Sequence, residues 1–144
     1  MDSCEPLYLV VLATLPDAQA ATQRVVNLCG PLGVEERALY GTAVMEWLVN
    51  VVKHSYAHAS GAQITIYVAP GPEGIELRIE DSGAGMAPGQ FEAAPAEVLF
   101  DDSDLAALPE NGMGLAIIKS VMDSVHYHSE RDVNRLTAVR RWTR

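Results

Sequence analysis

From Val44 to Val52 the chain reads Val-Met-Glu-Trp-Leu-Val-Asn-Val-Val. At roughly 100° per residue in a helix, its apolar side chains point in nearly every direction. That is the pattern of a helix buried in a core, with other layers around it. Glu46 and Asn50, joined one turn on by His54, fall within roughly 80° of one another and make a narrow polar stripe. Such a stripe must face something that satisfies it, either water between two buried flanks or a site.

The surrounding chain supplies the layers. Leu7 to Leu15 reads as a first strand stopped by Pro16, after which Asp17 can cap a helix over Ala18 to Leu28. Gly30-Pro31-Leu32-Gly33 breaks that helix, and a longer one is predicted from Glu35 to about Tyr56. Ile64, Ile66 and Val68 alternate with polar neighbours across Gln63 to Ala69, as do Ile75, Leu77 and Ile79 up to Glu80. With a Pro-Gly turn between them, these form a β-hairpin. From Ile79 to Ile118 there are eight acids, three prolines and no Lys or Arg, which predicts a mobile excursion with short helical turns. A further helix opens at Glu110-Asn111-Gly112-Met113-Gly114, with Leu115, Ile118, Val121, Met122 and Val125 on its apolar face. Strands over Val125 to Ser129 and Leu136 to Trp142 close the chain around a turn near Asp132-Val133-Asn134. Helices grouped against antiparallel strands predict an α/β two-layer sandwich with a mixed, mostly antiparallel sheet, and residues 1–144 read as one domain.

Composition narrows the function classes. A net charge of −9 argues against nucleic acid as a direct partner. The two cysteines, Cys4 and Cys29, show neither a redox nor a zinc spacing. No apolar run is long enough for a membrane span and no basic stretch leads the first strand, so a cytoplasmic protein is expected.

Three motifs carry chemistry. In the stripe, the Asn50 side-chain oxygen suits Mg²⁺, Glu46 can accept a proton, and His54 can touch phosphate or serve as a local hydrogen-bonding group. At the end of a strand, Asp81-Ser82-Gly83-Ala84-Gly85 offers a carboxylate to an exocyclic amino group, with glycines that let the backbone approach a flat ring; a plain turn reads the same way. Gly112-Met113-Gly114-Leu115 frees the first N–H groups of a helix to face an anion, or simply starts that helix. Neither a dinucleotide fingerprint nor a P-loop fits, because Ile117 stands at the third glycine position and no Gly-Lys-Ser/Thr follows.

In that order, Glu46-x3-Asn50-x3-His54, Asp81-x-Gly83-x-Gly85 and Gly112-x-Gly114-Leu115 resemble the asparagine box and the two glycine boxes of the GHKL (Bergerat-fold) ATPases. The Lys53-His54-Ser55-Tyr56 and Gly112 to Ile118 wording is most similar to the RsbW/SpoIIAB type of anti-sigma factor serine kinase. The resemblance covers essentially the whole chain and implies ATP and Mg²⁺ as cofactors. Asn50 would hold the metal, Glu46 would activate the acceptor serine, and Asp81 would bind adenine beside Gly83, Gly85 and Met86. Gly112, Met113, Gly114 and Leu115 would meet the phosphates with His54, and Met86 to Asn111 would form the ATP lid. It also implies phosphorylation of a STAS-domain anti-anti-sigma protein, exchange of that partner with a sigma factor, and a homodimer.

Two departures stand out. The lid carries no Lys or Arg, leaving phosphate charge to Mg²⁺, helix amides, Lys53 or His54. Asn134 takes the place of a glycine often seen near the family's last hairpin, and Asn tolerates the left-handed conformation. Competing functions are a non-catalytic ATP- or ADP-binding interaction module and a detached histidine-kinase catalytic domain.

Overall fold

The structure, a computed structural model, describes residues 5–57, 59–94 and 113–143. Five strands form one sheet: β1 (Leu7–Leu12), β2 (Gln63–Pro70), β3 (Gly74–Asp81), β4 (Ser124–Glu130) and β5 (Val133–Arg141). Their order is β1-β2-β3-β5-β4. Every pairing is antiparallel, so the expected mixed sheet is antiparallel throughout. The helices are α1 (Leu15–Val26), α2 (Val34–Asn50), a four-residue α3 (Gln90–Ala93) and α4 (Met113–Val121).

The predicted alternation in the central hairpin sets the layers. Ile64, Ile66, Val68, Ile75, Leu77 and Ile79 are buried, as are Leu136 and Ala138 beside them on β5. Ala43, Val44, Trp47, Leu48, Val51 and Val52 bury the other side of the core, so the helix that opened the sequence reading does occupy the interior. Arg140 is a buried cation at the far end of this layer. It pairs with Glu36 at 2.5 Å, stands 3.8 Å from Asp123, and donates to the Arg141 carbonyl, as a buried charge must.

Four local expectations are corrected. Pro16 does not stop a strand: β1 ends at Leu12, and Pro16 sits in the first turn of α1, where its missing N–H costs nothing. The cap of that helix is Thr14, whose Oγ accepts from the Asp17 N–H at 3.2 Å. Val125 belongs to β4 and not to the face of α4. Asn134 is not a turn residue; it lies buried in β5, and the left-handed residue of the last hairpin is Arg131, φ 56°.

The predicted end of α2 also changes character. Residues Val51–Ser55 continue it as a π-helical turn, closed by the Tyr56 N–H donating to the Val51 carbonyl at 2.9 Å. An extra residue in the turn swings Ser55 toward the line of Asn50, where a strict α-helix would hold it roughly 140° away. Gly112 and most of the proposed lid, including Pro95 and Pro109, lie outside the described residues.

Candidate nucleotide site

The end of α2, its π turn, the end of β3 and the first turn of α4 converge on a cavity of about 280 Å³. Asn50, His54, Asp81, Gly85, Met86, Gly114 and Leu115 line it, so the three motifs separated in sequence share one space. Met113 is the first residue of α4. Glu46 does not line this cavity; it stands beside it, with Oε2 2.8 Å from where a Cβ on Gly114 would sit. A glycine is therefore what lets the start of α4 come up to the Glu46 carboxylate, with the Asn50 amide nitrogen 3.6 Å from the same point.

Asp81 is the most elaborately held group. Ser55 Oγ donates to its Oδ1 at 2.5 Å, the Gly83 N–H at 2.9 Å and Asn134 Nδ2 at 2.9 Å. Among the described residues all of its donors meet Oδ1 and none meets Oδ2. Ser55 also ties the following loop, accepting from the Gly85 N–H with its hydroxyl at 3.0 Å and from the Ala84 N–H with its carbonyl at 2.7 Å. A methyl group on Gly83 would overlap that carbonyl, so the loop can lie on the π turn only without a side chain there.

Aromatic residues that the sequence reading did not single out build the remaining wall. Trp47 stacks edge-on against Tyr127, centroids 5.5 Å apart, and against Phe91 at 6.3 Å. The Tyr127 hydroxyl accepts from the Met86 N–H at 3.1 Å. Burial pushes the Tyr127 phenol up, the Met86 N–H pulls the other way, and the nearby Asp81 charge adds to the rise. Gln90 completes this side. Period-2 alternation could have flagged Tyr127; nothing local marks Ser55 or Trp47 as site residues.

The arrangement fits a purine nucleotide. It combines a carboxylate oxygen with no donor among the described residues, an aromatic and aliphatic wall, the Asn50 amide, and the start of a helix. Over residues 11–140 the chain matches the histidine kinase-like ATPase domain. It belongs to that family.

Among relatives of this ATPase domain, the anti-sigma F factor of Clostridium perfringens is 29% identical over 99 residues, 69% of this chain and 67% of that protein. The serine-protein kinase RsbW of Listeria monocytogenes is 28% identical over 94 residues, covering 64% of this chain and 58% of that one. The RsbW of Bacillus mycoides is 31% identical over 85 residues, 58% of this chain and 51% of that one. Among solved structures, the mycobacterial sensor histidine kinase MprB superposes with a TM-score of 0.53 at 21% identity, covering 95% of this chain and 97% of that chain. At that identity the likeness is one of fold.

Proposed function

We propose that this protein is an ATP-dependent protein-serine kinase of the anti-sigma factor type, acting on a STAS-domain anti-anti-sigma protein and exchanging that partner with a sigma factor. The observation that carries the reading is the meeting of Asn50, Asp81 and Gly114 at one cavity with Glu46 beside Gly114 at its edge. Relatives that bear the names anti-sigma F factor and serine-protein kinase RsbW support it.

When bound, ATP supplies the phosphoryl group and its Mg²⁺ draws charge from the phosphates. Asn50 would hold the metal through one neutral oxygen, the kind of ligand that suits an ion of this hardness. Asp81 would accept from the base, and the N–H groups at the start of α4 would face the phosphates. Glu46, beside Gly114, takes the proton from the attacking serine hydroxyl. The exposed His54 serves as a polar edge to the phosphate side.

A second reading, a nucleotide-gated binder without transfer, is favoured by one observation. No Lys or Arg occurs between Ile79 and Ile118, and Lys119, which follows, is committed to the carbonyls of Phe91 and Ala94. Incubation with γ-labelled ATP and a panel of STAS-domain proteins decides between them. Label on a serine is the expected result; ATP binding with no label on any of them makes the protein a binder.

A homodimer and a cytoplasmic location complete the proposal. Tyr8, Val10 and Leu12 stand exposed on the edge strand β1, apolar surface that a second copy could cover. Among the described residues no helix is long and apolar enough to cross a membrane.

A further inference from the structure

Asn134 is 3% exposed and uses its whole amide. Nδ2 donates to Asp81 Oδ1 at 2.9 Å and to the Gly83 carbonyl at 3.0 Å, while Oδ1 accepts from Ser129 Oγ at 2.6 Å. Two acceptors on one side and a hydroxyl on the other fix which way the amide faces. Gly85 packs against it: with φ 73°, a Cβ at Gly85 would lie 2.5 Å from Asn134 Oδ1. One buried side chain on β5 thus holds the β3 carboxylate, the Gly83 backbone and the glycine loop together.

We propose that Asn134 is a specificity-positioning residue for the base. Resting on the nucleotide-site reading above, this assigns it the task of fixing which Asp81 oxygen meets the ligand. With Ser55, Gly83 and Asn134 all donating to Oδ1, the carboxylate cannot rotate without breaking three hydrogen bonds. The oxygen left over, Oδ2, accepts and cannot donate while the group is ionised. A purine with an exocyclic amino group at that edge, adenine, satisfies it. A 6-oxo purine presents an acceptor there and leaves two lone-pair-bearing oxygens facing each other. Discrimination of this kind, where a mismatched ligand strands a buried polar group, is large. Without Asn134 the carboxylate is held from one side only, and the Gly83-to-Gly85 loop loses its support from β5.

The test uses ATP and inosine triphosphate, which differ at that position of the base. Titration calorimetry on the full chain should give the unmodified protein a strong preference for ATP. Asn134→Leu keeps the branched skeleton and removes the amide; the ATP-to-inosine-triphosphate affinity ratio should fall by about tenfold or more, mainly through weaker ATP binding. Ser129→Ala, which takes the donor from Asn134 Oδ1 and loosens the amide without contacting Asp81, should lower the ratio by a few-fold and keeps the question answerable if Asn134→Leu does not fold. Asn134→Gln, which retains an amide, should restore part of the ratio, an outcome that mere loss of packing does not produce. An unchanged ratio in Asn134→Leu and Ser129→Ala overturns the inference while the nucleotide reading stands. Failure of the unmodified protein to bind ATP overturns both.

Discussion

Lys119 Nζ donates to the Phe91 carbonyl at 2.5 Å and stands 4.6 Å from the centroid of the same residue's ring. It also donates to the Ala94 carbonyl at 2.8 Å, so one ammonium on α4 satisfies the end of α3 and covers its buried aromatic. Through Phe91 the contact reaches Trp47 and Tyr127, which line the cavity.

Replacing Lys119 by Met keeps the apolar stem and removes the charge. The variant should be destabilised by about 1.5–3 kcal/mol, the range for hydrogen bonds to charged groups, with Lys119→Arg recovering part of it. Urea unfolding followed by tryptophan fluorescence measures the difference; equal stability of Met and native chains would show that the contact contributes nothing.

The Glu46→Gln variant should bind Mg·ATP as the native chain does and transfer phosphate to a STAS substrate about 10²–10⁴-fold more slowly, the usual contribution of a positioned base. Transfer at the native rate would remove Glu46 from that role.

For Asp81→Ala the expected result is a loss of ATP affinity of about tenfold or more, since the variant removes the proposed acceptor for the base and takes an acceptor from the part-buried Ser55 hydroxyl and the buried Asn134 amide. Calorimetry that finds native affinity would place the base elsewhere.

Two glycines separate strain from collision. Gly85 and Gly89 both have positive φ, 73° and 80°, but a Cβ on Gly85 meets Asn134 whereas one on Gly89 meets open space. Gly89→Ala should cost about 1 kcal/mol from backbone strain alone. Gly85→Ala should cost more and weaken ATP binding as well. Equal effects in thermal unfolding would mean that the loop yields freely at Gly85.

Burial pushes the Cys29 thiol up from 9.0 to about 12, with Arg37 and Arg140 opposing the rise. The folded chain holds the thiol proton where the unfolded chain has released it, so this group's contribution is complete below pH 9 and is lost toward pH 12. Cys29 alone should contribute a fall of about 1.4 kcal/mol per pH unit across that window, a share of the alkaline slope that Cys29→Ala removes. A Cys4→Ser chain should also resist Ellman's reagent at pH 8 until it is unfolded; rapid labelling of the folded form would contradict the buried placement.

What was legible in the sequence follows from period and order. Alternation marked β2 and β3 to within a residue or so, and the all-round apolar pattern marked α2 as interior. The strand that carries Asp81 was thereby placed, and so was the helix that carries Asn50. The misses share a cause: each depends on a partner distant in the chain. Asn134 looks like turn chemistry until Asp81, 53 residues away, is set beside it. Ser55 lies on the wrong side of an ideal helix and reaches the site only because the turn widens to a π form, which no local propensity announces. At Pro16 two rules competed, strand stop and helix start, and the Thr14 cap decided for the helix.

Tyr127 and Asn134 reach the site from the final hairpin, after every other described wall of the cavity has been laid down in the chain. A nascent polypeptide emerging from the ribosome therefore carries only an incomplete version of this pocket until its last hairpin is out. Until β5 has been threaded between β3 and β4, Asp81 lacks one of its three donors and the edge position of β3 stays open to other chains. On the proposed function, nucleotide that favours the finished pocket would act on the newborn protein as a latch on its last strand.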